Sequence, residues 1–128
     1  MEKVERFEFS RQSASPMSTE AVLQNHLRAA KVGVDALIED YTEQSVMITQ
    51  DETYRGRAEI RRFFTALLES LPAGFFDGTM RISREETVGE VGYIFWNGEP
   101  IVSQATDTFV VRDGKILFQT FTAARRAS

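Results

Sequence analysis

The chain has 128 residues, of which 42% are hydrophobic and 27% charged, so it is long enough for one domain with a hydrophobic core. Its net charge of −4 argues against nucleic acid and anionic membrane surfaces as partners. It contains no cysteine and a single histidine, His26, which excludes disulfides, thiol nucleophiles and metal sites built from several histidines.

Residues 1–17 are interpreted as a flexible N-terminal arm, because a Ser-Ala-Ser-Pro segment typical of linkers precedes the first helical pattern. The arm begins with charged residues and lacks the apolar segment of a secretory signal. No run in the chain approaches the roughly 20 apolar residues that a membrane span requires. The sequence therefore predicts a cytoplasmic protein with no membrane partner.

Two adjacent helices are predicted after the arm. Ser18 is a candidate N-cap for a helix from Thr19 to Val32, and Gly33 is a natural stop. A shorter second helix is predicted from residues spaced at i, i+3, i+4 and i+7, namely Val34, Leu37, Ile38 and Tyr41.

A short strand over residues 45–50 and a loop over 51–56 follow. The clearest helical pattern then covers residues 57–71 and ends at Pro72. Its apolar stripe consists of Ile60, Phe63, Phe64, Leu67, Leu68 and Leu71.

The second half of the chain reads as four β runs, at about residues 75–87, 92–97, 101–112 and 115–123. The last two are joined by Asp113-Gly114, a two-residue hairpin turn, so they must be antiparallel neighbours. Residues 124–128 are interpreted as a basic tail. Helices first and a meander afterwards predict an α+β fold with the helices on one side of the sheet.

Asp107 is a carboxylate inside an apolar strand, where Asp is uncommon. In an apolar pocket its neutral form would be favoured, and it could act as a general acid or base or hold an oxyanion. Alternatively, it accepts hydrogen bonds from Thr106, Thr108 or the backbone, or faces water.

His26 falls within the apolar arc of the first predicted helix. It could hold or shuttle a proton near neutral pH, or be a buried neutral histidine with one satisfied nitrogen. An interacting acid/base pair of His26 and Asp107 is the sharpest hypothesis, and it requires that both side chains reach one cavity.

Two segments carry a resemblance to a known family: Tyr-Arg-Gly-Arg-Ala-Glu-Ile-Arg-Arg-Phe-Phe at 54–64 and Asp-Thr-Phe-Val-Val-Arg-Asp-Gly-Lys-Ile at 107–116. With the order of helices and strands, they resemble the nuclear-transport-factor-2-like (NTF2-like) superfamily, and most of all its SnoaL-like and ketosteroid-isomerase-like branch. The resemblance covers about residues 18–123, which we take as the domain. It implies a cone-shaped α+β barrel of three N-terminal helices on a curved, mostly antiparallel sheet, with an apolar pocket, and a homodimer packed through the sheet.

Carried over by position, Asp107 falls where the isomerase branch has its oxyanion-binding aspartic acid, and His26 falls at or near the tyrosine of the first helix. Thr49 falls at the position of the proton-moving aspartate, and Asp51 lies two residues further on.

The function expected from this resemblance is acid–base proton transfer on an apolar or cyclic carbonyl compound, by an isomerase, dehydratase or cyclase. Asp107 and His26 would be catalytic, with no cofactor and no metal. The expected substrate-binding residues are Thr49, Tyr41, Tyr54, Phe64, Trp96 and Phe109. The alternatives are a non-catalytic ligand-binding or dimerisation domain of the same fold, and a protein–protein adaptor with an exposed apolar patch.

Overall fold

The computed structural model describes residues 17–125, so the predicted arm (1–17) lies outside them except for its last residue, and the predicted tail (124–128) lies outside them from residue 126 on. Residues 124 and 125 continue the last strand instead of forming part of a tail. The described part contains three helices: α1 (Thr19–Val32), α2 (Val34–Ile38) and α3 (Gly56–Glu69). Six strands complete it: β1 (Tyr41–Thr49), β2 (Thr53–Arg55), β3 (Arg81–Val88), β4 (Val91–Gly98), β5 (Val102–Arg112) and β6 (Lys115–Arg125). The predicted α+β class is confirmed, although β1 and β2 of the sheet precede α3 in the chain.

Helix α1 has the predicted bounds, and its ends show why. The Ser18 hydroxyl accepts a hydrogen bond of 3.1 Å from the Ala21 N–H, which satisfies one of the free donors of the first turn. Gly33 takes a φ of 147° and ends the helix. The buried face of α1 consists of Val22, Leu23, His26 and Ala29.

Tyr41 is not helical, so the predicted second helix is too long. Helix α2 has five residues and ends at Ile38, and Tyr41 is the first residue of β1, opposite Ile116 of β6. The Ile116 N–H donates a 2.7 Å hydrogen bond to the Asp40 carbonyl. Pairing with β6 therefore overrides the helical spacing of Tyr41, as tertiary contacts commonly override local propensity.

Two further segments differ from the prediction. The loop predicted over 51–56 contains β2, in which Tyr54 pairs with Met47 of β1. The run predicted as strand from residue 75 begins with a single π-helical turn, Phe75–Thr79, and β3 begins only at Arg81. The aromatic rings of Phe75 and Phe76 both pack against Trp96, which a regular strand could not do with neighbouring residues.

The sheet order within residues 17–125 is β2-β1-β6-β5-β4-β3, and every pair is antiparallel except β1 with β6. The sheet is curved but does not close, because β2 and β3 are free edges, and the expected cone is therefore an open one. Asp113 and Gly114 take φ of 54° and 76°, which confirms the predicted hairpin turn between β5 and β6.

The core lies between the helices and the concave inner face of the sheet. Helix α3 packs on β1 and β2, whereas α1 packs on β4 and β5. The largest fully buried apolar side chains are Phe75, Phe109, Leu23, Leu37, Ile38, Met47, Ile60 and Ile116. A polar side chain that enters this layer is therefore surrounded by apolar atoms.

Candidate functional site

Helix α1 and strand β5 bring His26 and Asp107 to the same cavity, which we call the inner pocket. It has a volume of about 40 Å³. Its polar side chains are His26, Asp107 and Gln119, and its walls are otherwise aliphatic and aromatic. The requirement that His26 and Asp107 reach one cavity is therefore met.

The register of the sheet explains how Asp107 is held. Asp107 pairs with Ile94 of β4 on one side and with Phe121 of β6 on the other. Trp96 and Gln119 each lie two residues from those partners, on the same face, which is the diagonal position that long side chains can reach. The Trp96 Nε1–H donates to Oδ2 of Asp107 at 2.9 Å, and Gln119 Nε2–H donates to Oδ1 at 2.8 Å.

Asp107 is 6% exposed, and burial is the main influence on the pKa of its carboxyl group. Burial raises the pKa of Asp107 from 3.8 to about 6, because an ion is poorly solvated in an apolar layer. The hydrogen bonds from Trp96 and Gln119, together with the nearby His26, lower the pKa and limit the rise. Asp107 can therefore gain or lose a proton close to neutral pH.

Gln119 connects Asp107 to Tyr41, because its Oε1 accepts a short hydrogen bond from the Tyr41 hydroxyl. Burial raises the pKa of Tyr41 well above its ordinary value of 10, and the charges of Asp107 and Asp40 raise it further. The phenol therefore stays protonated and remains a donor. Tyr41 supports the pocket from behind rather than lining it.

His26 is held by a second carboxylate, Asp40, at the start of β1. Its Nδ1 lies 3.2 Å from Oδ2 of Asp40, and both side chains are buried. The imidazole is also enclosed by the rings of Phe109, Phe64 and Tyr41, at centroid distances of 5.3, 5.9 and 6.0 Å. His26 is therefore fixed in orientation by one polar contact and three aromatic ones.

A larger cavity of about 300 Å³, the outer pocket, lies next to the inner one. The two cavities share four lining residues: Phe63, Leu67, Trp96 and Phe121. Phe121 stacks on Trp96 at 6.3 Å, and Phe63 meets Phe121 edge-on at 5.7 Å. These rings form the boundary between the inner and the outer pocket.

Five of the six residues predicted to bind substrate line one or both cavities, and the sixth, Tyr41, lines neither. Phe64 and Phe109 line the inner pocket, whereas Thr49 and Tyr54 line the outer pocket. Trp96 lines both. Thr49 donates its hydroxyl to the Glu52 carbonyl at 3.1 Å, which ties it to the turn that leads into β2. Asp51 also lies in the outer pocket.

Sequence reasoning missed Asp40 and Gln119. The sequence predicts a helix that continues to Tyr41, and this pattern gives the Asp40 side chain no role. Gln119 alternates with Phe121 and Ala123 on the inner face of β6, and a polar residue in such a series was a usable signal. Of the residues 17–125, no three histidine, cysteine or acidic side chains cluster as they would around a metal ion. No helix in the same range is long and apolar enough to cross a membrane.

Comparison with known proteins identifies relatives of this fold. Residues 23–118 match the family described as the SnoaL-like domain. No curated protein sequence matches the chain.

Solved structures with the same fold are distant in sequence. An NTF2-like protein of unknown function from Burkholderia xenovorans has a TM-score of 0.64 at 16% identity, over 86% of this chain and 85% of its own. A candidate polyketide cyclase from Sinorhizobium meliloti has a TM-score of 0.64 at 15% identity, over 82% and 99%. A candidate isomerase of the SnoaL-like family from Agrobacterium tumefaciens has a TM-score of 0.62 at 14% identity, over 83% and 97%. At these identities the likeness concerns the fold.

Proposed function

The chain belongs to the SnoaL-like domain family, and from that premise we propose that it catalyses proton transfer on a small apolar carbonyl compound. The observation that carries the proposal is the presence of two titratable groups, Asp107 and His26, in one apolar pocket. Perturbed acidity of a buried group in a cleft is typical of sites that move protons.

The chemistry follows from the number of protons that the two groups share. With one proton between them, one of Asp107 and His26 is a base and the other an acid. The base removes the proton from the carbon next to the carbonyl, and the acid supplies its own proton to the carbonyl oxygen. Return of a proton to a different carbon completes an isomerisation. For a dehydration, the protonated base gives its proton to a β-hydroxyl group, which leaves as water, while the enol proton returns to the deprotonated acid and the C=C bond forms. For an aldol-type cyclisation, the enol carbon attacks a second carbonyl carbon, whose oxygen takes the proton from the protonated base, and the enol proton again returns to the acid.

The sizes of the two cavities suggest how a substrate is placed. A volume of about 40 Å³ in the inner pocket corresponds to roughly three water molecules, which suits a carbonyl group and its neighbouring carbon. The remainder of a larger molecule fits the outer pocket, beyond Phe63 and Phe121. We therefore propose an apolar or cyclic substrate that enters with its carbonyl end first.

A non-catalytic ligand-binding domain is the second candidate, and Thr49 favours it. In the resemblance to the isomerase branch, a proton-moving aspartate is expected at this position, and Thr49 cannot replace it as a base. Under this alternative Asp107 would bind a hydroxyl or carbonyl group of a ligand without turnover.

The test is exchange of the α-protons of cyclohexanone and cyclopentanone with D₂O, followed by NMR. Wild type should exchange them faster than buffer, and Asp107→Asn should lose most of the enhancement, on the order of 10²-fold. Asp51→Asn, which removes a carboxylate from the outer pocket, is the matched control and should keep the wild-type rate. Binding of phenols, as mimics of the enol, is measured in parallel by thermal shift. Phenol binding without exchange would favour the ligand-binding domain. The absence of both phenol binding and exchange would overturn the proposal.

A further inference from the structure

The contact between His26 and Asp40 involves one imidazole nitrogen and leaves the other facing the inner pocket. Imidazole carries two nitrogens, and only Nδ1 contacts Asp40, at 3.2 Å. Among residues 17–125, Nε2 has no hydrogen-bond partner, although the side chain is 92% buried and lines the inner pocket. A buried polar atom without a partner is uncommon and points to a ligand.

The identity of the Asp40 group decides which nitrogen carries the proton. When the Asp40 carboxyl group is ionised, it accepts hydrogen bonds and cannot donate them, so in this contact Nδ1 is the nitrogen that carries the proton. In neutral imidazole the other nitrogen, Nε2, then has the lone pair. Asp40 therefore leaves Nε2 able to receive a proton from a molecule in the inner pocket.

Asp40 is itself fixed from several directions. Its Oδ1 accepts a 3.0 Å hydrogen bond from Asn25 Nδ2, so each carboxylate oxygen has one donor. Its N–H donates to the Leu37 carbonyl, and its carbonyl accepts from the Ile116 N–H. Because Asn25 and His26 are neighbours on α1, one helical turn presents both donors to Asp40.

Among residues 17–125, the titratable groups that the structure places against His26 are Asp40, which contacts Nδ1, Tyr41, whose ring packs on the imidazole, and Asp107, whose acidity His26 influences. The Tyr41 phenol stays protonated and donates to Gln119, and Asp107 accepts from Trp96 and Gln119. In the described residues, Asp40 is thus the acceptor that the imidazole contacts directly.

We infer that Asp40 is a positioning residue, which holds His26 in the Nδ1–H tautomer so that Nε2 accepts the substrate proton. This inference rests on the proposed proton transfer, in which His26 is then the base and Asp107, in its protonated form, the group that donates to the carbonyl oxygen. The C–H bond of the substrate breaks, an N–H bond forms at Nε2, and the Asp107 proton passes to oxygen.

The test uses the fact that His26 is the only histidine, so imidazole ¹⁵N signals of the untagged protein need no assignment. Two-bond ¹H–¹⁵N spectra distinguish the two neutral tautomers. In wild type at pH 8 we expect a protonated Nδ1 and an unprotonated Nε2. The opposite pattern, or an equal mixture, would overturn the inference without any variant being made.

The variant Asp40→Asn sharpens the test. The side-chain oxygen of the variant residue can still accept the hydrogen bond from Asn25, and its amide NH₂ then faces His26. This NH₂ donates to Nδ1, which must then be unprotonated, so the variant favours the Nε2–H tautomer. We expect the tautomer to reverse and kcat for α-proton exchange to fall on the order of 10²-fold, with KM nearly unchanged. Asp40→Glu, which keeps a carboxylate, should restore the Nδ1–H tautomer and part of the rate. Asp35→Asn, an exposed carboxylate on α2, is the control and should change neither.

The outcomes separate the inference from the proposed function. If wild type catalyses exchange and Asp40→Asn reverses the tautomer but keeps the rate, His26 is not the base and the inference fails while the function stands. If wild type catalyses no exchange, the proposed function fails, and the inference fails with it whatever the tautomer.

Discussion

Asp107 is the residue whose environment differs most from that of an ordinary carboxylate. The native state keeps its proton up to a pH of about 6, whereas the ordinary pKa of this group is 3.8. Between these two values the native state binds more protons than the unfolded chain. The contribution of Asp107 to the free energy of unfolding therefore falls as the pH rises through this window and levels off above it. The difference corresponds to about 3 kcal/mol from this one group.

We expect Asp107→Asn to abolish most of this decline. The amide can accept from only one of Trp96 and Gln119, so the variant should be less stable than wild type at pH 4.5, by about 1–3 kcal/mol. At pH 7.5, where wild type has an ionised buried group, the difference should vanish or reverse. Urea unfolding of both proteins at several pH values measures this, with Asp51→Asn as an exposed control. An Asn variant that declines in parallel with wild type would show that Asp107 is not the group responsible.

Some residues of the site can be recognised from the sequence and others cannot. Asp107 was recognisable because a carboxylate in an apolar strand is unusual, and His26 because it falls on the apolar arc of a helix. Asp40 was not recognisable, because its role depends on the end of α2 and on pairing with Ile116, which are both tertiary effects. The sequence therefore predicts Asp107, His26 and Trp96 at the pocket, but not Asp40 and Gln119, which hydrogen-bond to them.

At the level of elements, the sequence best predicts the helices and hairpins whose ends are marked by capping or turn residues. Helix α1 matches to the residue because Ser18 and Gly33 mark its ends, and the β5–β6 hairpin matches because Asp113-Gly114 suits its turn. The sequence does not predict the π-helical turn at Phe75–Thr79. This turn accompanies the packing of Phe75 and Phe76 against Trp96, a contact between distant segments that no local pattern shows. The parallel pairing of β1 with β6 likewise depends on contacts that are distant in sequence.

Gly98, at the end of β4, packs closely against Phe75 of the π-helical turn. A Cβ atom at Gly98 would lie 2.2 Å from the Phe75 ring, which is far inside contact distance. We expect Gly98→Ala to destabilise the protein by about 1–3 kcal/mol, because the buried ring must move. Gly78→Ala lies in the same turn, where nothing is within 4 Å, and it should cost much less.

A double-mutant cycle with Phe75→Leu identifies the cause. The smaller side chain should relieve the clash, so that Gly98→Ala costs less in the Phe75→Leu background than in wild type. Urea unfolding of the four proteins gives the coupling energy. Additive effects would mean that the cost of Gly98→Ala comes from the backbone and not from the ring.

At the scale of the whole molecule, the outer face of the sheet, opposite the helices, also carries apolar side chains. The helices pack on the inner face, and the cross-strand register places an apolar row on the other side, formed by Val46, Phe118, Val110 and Val91. The neighbouring rows add Ile48, Tyr93 and Phe95. Ile48 and Val91 are 40% and 41% exposed, which is high for apolar strand residues. Among residues 17–125, no helix packs on this apolar face, and an apolar sheet face is stabilised by packing against a second layer.

We therefore expect a homodimer packed through these outer faces, with a mass in solution of twice 14.5 kDa. Phe118 lies on β6 in the middle of the apolar row, so Phe118→Glu would place two like charges in the buried contact and should give a folded monomer. Val32→Glu makes the same change at a side chain on α1 that is 79% exposed, and it should leave the dimer intact. Light scattering after gel filtration, over a range of concentrations, distinguishes these states. Because Phe118 is on the opposite face from Gln119 and the inner pocket, the monomer should also keep its affinity for phenols. A wild type that remains monomeric at every concentration would show that this face has another role, and a monomer that loses phenol binding would show that the pocket depends on the partner.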